Sequence, residues 1–238
     1  MKIARTTRAL LACGIVGPLL FIVVFLIEGA TRPGYSAWRN YVSELALSNE
    51  GWQQSANFLI CGILCVAFAI GLRRVWPSGT SSVAGPLFIA LFGLGLMVAG
   101  LFVTDPTTTY PPGAPATGSP QTWHGLVHGV NGLLLFVIVL PAACFALARR
   151  FARDPRSRGW ATYSRIVGVV VLCLFPVTTV SSVLAERHIA DTPTGLIQRI
   201  EIILGWTWIA GSALRLMRAD QVIPDQPSGT GRAAIGHE

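Results

Sequence analysis

Apolar residues fill six long runs in this chain, and polar residues are confined to the gaps between them. The runs cover 9–28, 55–72, 83–103, 125–148, 166–185 and 196–216. Each is close to the roughly 20 residues that an α-helix needs to cross the hydrocarbon layer of a bilayer. The pattern predicts an all-α, six-helix transmembrane bundle. Short gaps between successive spans predict up-down topology with antiparallel neighbours. The first run follows Lys2, Arg5 and Arg8, an opening it shares with signal peptides. Its length, and the absence of a small-residue cleavage site after Glu28, predict a retained helix instead. The sixth run is the least uniform, because Gln198, Arg199 and Glu201 fall in its first two turns.

Between the first two runs, Tyr35, Trp38, Tyr41, Val42 and Leu45 recur at helical spacing, and Ser36, Arg39, Asn40, Ser43 and Glu44 occupy the other face. This predicts a short amphipathic helix lying in the membrane interface. The stretch 107–120 is rich in Thr, Pro and Gly, carries no charge, and reads as a flexible surface loop. A membrane domain is expected over 1–218, followed by a disordered cytoplasmic tail over 219–238. Gly17-Pro18-Leu19-Leu20-Phe21 echoes Gly85-Pro86-Leu87-Phe88, but a transporter-type duplication requires correspondence across several helices.

Composition removes other classes. Charged residues make up 12% of the chain, against about a quarter in soluble domains. The net charge of +7 suggests a nucleic-acid binder until the basic residues are located. They cluster in short gaps beside apolar runs, so no nucleic-acid partner is expected. Of the 18 basic residues, 14 lie in the tails and the even-numbered gaps, and only Arg32, Arg39, Arg187 and Arg199 lie on the other side. The positive-inside rule then predicts cytoplasmic N- and C-termini. Arginine supplies all the basic residues but Lys2, which suggests a GC-rich bacterial genome and hence a bacterial plasma membrane. Trp38, Trp52 and Trp123 are expected at the outer interface, and Trp76 and Trp160 at the inner one. All five cysteines, Cys13, Cys61, Cys65, Cys144 and Cys173, fall inside apolar runs and read as small apolar filler.

The remaining polar residues of the spans gather at their outer ends. Ionisable groups at the bilayer centre cost about 2.5–3.5 kcal/mol on insertion scales, so their placement needs a reason. Asn57, Asp105, His124, His128, Asn131, Gln198, Arg199 and Glu201 predict an outward-facing polar pocket that binds a lipid, a small hydrophobic ligand or a partner. Thr178, Ser182 and Glu186 leave the fifth span on one face of the same side. His124 and His128, one helical turn apart, can share a divalent metal such as zinc with Asp105 completing the shell. The competing reading has both as interfacial histidines bonded to polar neighbours. Arg199 either snorkels to phosphates, pairs with Asp105 or Glu201, or clamps a lipid headgroup or anionic ligand; two residues apart on a helix, Arg199 and Glu201 do not face each other, and His128 is a partner open to Glu201. Ser43 and Glu44 are candidate nucleophile and base, set against a plainly solvated helix face. An enzyme here is a metal-dependent hydrolase acting on outer-leaflet lipid; a transporter calls for polar groups in the inner half as well, and that half lacks ionisable residues.

Several short stretches carry a resemblance. They are Gly17-Pro18-Leu19-Leu20, Ser43-Glu44-Leu45, Gly51-Trp52, Asn57-Phe58, Gly62, Ala69-Ile70-Gly71-Leu72-Arg73-Arg74, Thr104-Asp105-Pro106, Trp123-His124-Gly125 with His128, and Gly195-Leu196-Ile197-Gln198-Arg199. Over about 10–217 the chain resembles the bacterial and archaeal membrane family catalogued as domain of unknown function 998. The resemblance implies a six-helix membrane protein and gives weight to Ser43, Glu44, Asn57, Asp105, His124, His128, Gln198 and Arg199.

Overall fold

A computed structural model of the chain describes residues 4–76, 81–106, 110–114, 121–187 and 189–219. Most of the predicted loop 107–120 and the tail beyond Ala219 lie outside these residues, as does His188. Six helices are long and apolar enough to cross a membrane. They are α1 (Arg5–Thr31), α2 (Trp52–Val75), α3 (Ser81–Leu101), α4 (Trp123–Phe151), α5 (Arg158–Glu186) and α6 (Thr194–Ala219). Each packs against its neighbour in sequence, and α1 also packs against α6, so the helices close into a ring. Around the outside, Leu19, Val23, Ile63, Leu87, Leu133, Ile166, Val180 and Ile200 are exposed. Apolar exposure on every helix is what lipid solvates and water does not. The protein is an integral membrane protein, its two ends here called the arginine pole and the polar pole.

Small residues let the helices close on one another. A Cβ built on Gly62 would lie 2.6 Å from the Gly93 carbonyl oxygen, and one on Gly93 would lie 2.6 Å from that of Gly62. Backbone of α2 therefore touches backbone of α3, the contact that small residues permit in membrane helices. Inside the ring at mid-height, Trp206 stacks on Phe21 with centroids 4.9 Å apart and meets Phe92 edge-on at 5.6 Å. Trp76, predicted to anchor the inner interface, is instead buried against the Phe151 ring and beneath the Arg150 guanidinium. Its indole fills the gap where α2 meets the end of α4.

Helix α4 changes character midway. Residues Leu135–Val139 form a π turn in which the Leu140 N–H donates to the Leu135 carbonyl, five residues back. Pro141 explains it: a proline has no N–H and its ring presses on the carbonyl four residues earlier, so the preceding turn widens. Beyond the π turn, Leu140–Phe151 packs on α3 and α5, while Trp123–Leu134 rests on α3. Most of this second half is exposed, including Leu126, Val130, Leu133 and Leu134.

The segment between α1 and α2 is not an interfacial amphipathic helix. It runs through turns into a short 3-10 helix, Val42–Ala46, with Val42, Glu44 and Leu45 at most 1% exposed. The segment folds over the end of the ring because α6 supplies partners for its non-helical backbone. An interfacial helix would have bonded its own backbone and left Asn40 and Glu44 in headgroups.

The two kinds of glycine wall should respond oppositely to a methyl group. Gly93→Ala crowds the α2–α3 contact and is expected to cost about 1–3 kcal/mol. A Cβ on Gly129 meets nothing within 4 Å, so Gly129→Ala is expected to be neutral or to stabilise by up to about 1 kcal/mol through helix propensity. Thermal unfolding midpoints of the two variants in detergent check this; equal losses would mean that Gly129 is packed.

Candidate functional site

Arg199 organises the polar pole. It lies one turn into α6, and Gly195 precedes it by four residues. A Cβ on Gly195 would collide with the carbonyl of Asn40 and approach that of Ala37, so glycine lets the connecting segment lie on the helix. The Gly195 N–H donates to the Trp38 carbonyl at 2.9 Å, satisfying an open end of α6. Arg199 Nη1 then donates to the carbonyls of Ala37, Asn40 and Gly195 at 2.8–2.9 Å, and Nη2 donates to the Tyr35 hydroxyl. Its guanidinium also faces the Tyr35 ring, 5.4 Å from the centroid. Gln198 Oε1 accepts from the Val42 N–H at 2.8 Å. Arg199 is 6% exposed: it neither snorkels to phosphates nor pairs with Asp105 or Glu201, because the segment's carbonyls occupy it.

Glu44 is spent in the same fold. It accepts from the Tyr41 N–H at 2.8 Å and from Asn40 Nδ2 at 3.4 Å, closing the start of the 3-10 helix. Asn40 Oδ1 in turn accepts from the Ser36 N–H. Arg32 makes a second clamp, donating to Ser48 Oγ, the Glu50 carbonyl and Gln53 Oε1. Burial pushes the Tyr35 and Tyr41 phenols up to about 12; Arg199 partly offsets this at Tyr35, and a hydrogen bond to Ser182 does so at Tyr41.

Beneath the segment lies a cavity of about 270 Å³, lined by residues of all six helices. Tyr41, Val42 and Ser43 border it at the pole, and Phe21, Trp206 and Leu140 border it at mid-bundle. Its polar lining includes Asp105, His128, Asn131, Thr178, Gln198 and Glu201. Of the eight predicted pocket residues it thus brings together Asp105, His128, Asn131, Gln198 and Glu201. Asn57 is absent from its wall; Asn57 Nδ2 donates to the Phe21 carbonyl and to Gln54, tying α2 to α1. His124 is exposed beside Trp123, and Arg199 is turned to the segment.

The proposed metal set, Asp105, His124 and His128, is not assembled. Asp105 accepts from the Thr122 N–H at 2.8 Å and the Thr122 hydroxyl at 2.7 Å, next to the start of α4. Thr122 Oγ1 caps that helix by accepting from the Gly125 N–H. A carboxylate beside a helix N-terminus is stabilised by the helix dipole. His128 Nδ1 bonds the Phe102 carbonyl at 2.8 Å, and Asn131 Nδ2 donates to the Gly95 carbonyl at 2.9 Å. These groups pin α4 to α3. Among the described residues, no group of three or more His, Cys, Asp or Glu side chains is placed to hold a metal. Ser43 borders the cavity without its proposed base, since Glu44 is held by Tyr41 and Asn40.

Two polar atoms in the cavity are left over. Among the described residues, Glu201 Oε1 and Thr178 Oγ1 find no hydrogen-bond partner, and the two residues are 1% and 5% exposed. Other helical hydroxyls bond back to the carbonyl four residues earlier, as Ser164 and Thr179 do; Thr178 does not. The sequence located Glu201 but not Thr178's isolation, which depends on the hydroxyl's direction. It also gave no weight to Gly129 and Gly132, both on the cavity wall with no atom within 4 Å of where a Cβ would stand.

The chain belongs to the family described as a protein of unknown function (DUF998), whose model matches residues 15–215. The match runs from α1 into the last turns of α6 and takes in the whole cavity. No curated protein and no solved structure matches the chain.

Removing Arg199 leaves buried carbonyls unanswered, and Arg199→Met is expected to cost about 3–5 kcal/mol. Hydrogen exchange over 35–47 should rise with it; unchanged exchange would mean that other contacts hold the segment. Tyr35 and Tyr41 give a pH signature. Their unfolded phenols ionise near pH 10 and the folded ones near 12. Between those values the folded state binds more protons, so their contribution to stability falls as pH rises from 10 to 12. The unfolding midpoint should drop across that window, and less steeply in Tyr41→Phe.

Proposed function

We propose that this DUF998 protein binds an amphipathic molecule drawn from the bilayer, holding its polar end in the cavity of the polar pole. The observation that carries the reading is the bare backbone of α4 on the cavity wall. In most of the ring, glycines mark helices in contact, as at Gly62 and Gly93. At Gly129 and Gly132 the missing side chains face open space on the cavity wall, and the surrounding half of α4 is largely exposed. Gly129 and Gly132 put bare backbone on the cavity wall and Gly129 is exposed, which supports a lateral entrance for a membrane-dissolved ligand. Glycine costs about 1 kcal/mol against alanine in a helix interior, so two of them without a packing role call for another reason.

The cavity suits a polar end and a short length of chain. Its 270 Å³ is slightly below the range of about 300–1,000 Å³ typical of drug-sized ligands, so a long tail would remain in the bilayer. The arginine asymmetry supports placing the arginine pole and both termini in the cytoplasm of a plasma membrane, with the cavity facing outward. Metal-dependent hydrolysis of lipid fits less well, because Asp105 and His128 are engaged by Thr122 and the Phe102 carbonyl.

Filling the entrance tests the reading. Gly132→Leu and Gly129→Leu place side chains in open space and are expected to fold with wild-type unfolding midpoints. Mass spectrometry of the protein purified in mild detergent should find bound amphiphile on wild type and several-fold less on either variant. A wild-type protein with an empty cavity after reconstitution with lipid, or variants that retain as much, would defeat it.

A further inference from the structure

Resting on that reading, we infer that the polar end held in the cavity is a protonated amine, recognised by Glu201 and Thr178. Three observations converge. First, the charged side chains on the cavity wall are the carboxylates Asp105 and Glu201, with no arginine or lysine among them. The polar pole is not short of cations, but Arg199 is closed on Ala37, Asn40 and Gly195, Arg32 on Ser48, Glu50 and Gln53, and Arg39 on Asp191 at 2.7 Å. Among the described residues, a phosphate or carboxylate entering here would meet no arginine or lysine on the wall.

Second, Asp105 is already answered by Thr122, whereas Glu201 Oε1 accepts no hydrogen bond. An uncompensated carboxylate inside a membrane protein is costly, and such groups mark ligand or ion sites. Third, Thr178 Oγ1 is equally unanswered on the same wall. Glu201 stands seven residues into α6 and Thr178 eight residues before the end of α5, so both lie about 10–12 Å below the polar pole at the rise of an α-helix. Gly129 and Gly132 are six and nine residues into α4, level with them. A primary ammonium carries three N–H donors and a full charge. It would satisfy both orphaned acceptors and neutralise Glu201, while its alkyl chain leaves between the glycines into lipid. An alcohol or amide brings no charge.

Full-length protein in a neutral detergent, titrated at neutral pH with octylamine, octanol and octyl phosphate, separates these cases, with affinity read from the ligand-induced rise in unfolding midpoint. Octylamine is expected to bind about tenfold or more tightly than octanol, as a charge-assisted hydrogen bond implies. Glu201→Gln should erase that preference by lowering octylamine affinity about tenfold. Thr178→Val should reduce it, and serves if Glu201→Gln does not fold. Lysophosphatidylethanolamine as a fourth ligand distinguishes a lipid headgroup, if it shares the preference, from a free amine, if it does not. Equal binding of octylamine and octanol, both blocked by Gly132→Leu, would overturn the amine assignment and keep the amphiphile cavity. Tightest binding of octyl phosphate would also overturn it. No binding of any ligand would overturn both.

Discussion

A backbone that leaves the helical state within a membrane protein must find a partner for each carbonyl and N–H it exposes, because hydrocarbon offers none. In this protein that demand falls on the segment between α1 and α2, and Arg199 meets part of it by answering the carbonyls of Ala37 and Asn40. One guanidinium answers three carbonyls and a tyrosine hydroxyl. Gln198 and the start of α6 add two more bonds, to the Val42 N–H and the Trp38 carbonyl. The segment is thereby fixed across the end of the ring. Because it covers that end without filling the interior, space is left between Tyr41 and the Trp206–Phe21 stack.

The same use of arginine shapes the electrostatics of that space. Arg32, Arg39 and Arg199 at this pole are engaged by carbonyls, hydroxyls, a side-chain amide or carboxylates, so among the described residues the cavity wall carries two carboxylates and neither arginine nor lysine. The π turn before Pro141 has a related effect on geometry. It separates the half of α4 that packs on α3 and α5 from the half carrying Gly129 and Gly132, which His128 and Asn131 pin to α3 through two backbone carbonyls. That half rests on α3, and its Gly129 and Gly132 leave bare backbone on the cavity wall.

Much of the architecture was legible in the sequence because hydrocarbon is an undiscriminating solvent: any run of some 20 apolar residues meets its terms, so six runs give six helices. Polar residues in such runs are few and costly, which is why Asp105, His128, Asn131, Gln198 and Glu201 could be named as neighbours before any geometry was known. The same reasoning misplaced Asn57, His124 and Arg199. Polarity says that a side chain needs a partner, not which one. Asn57 found the Phe21 carbonyl on α1, and Arg199 found the connecting segment. Periodicity likewise made 35–45 an amphipathic helix, since its spacing cannot reveal that α6 offers its backbone better partners.

By itself, then, the sequence determined the membrane setting, the six helices, their alternation and the end of the bundle where polar groups collect. All of these follow from local composition and from the free energy of moving residues one at a time between water and lipid. Only the tertiary structure decided which polar groups are spent on the fold and which are left facing the cavity. Asp105 and Glu201 are both carboxylates near the end of a span. Thr122 happens to stand beside one of them, and among the described residues no donor reaches Oε1 of the other. That difference is one of contact between residues distant in the chain, and no local property of either residue contains it.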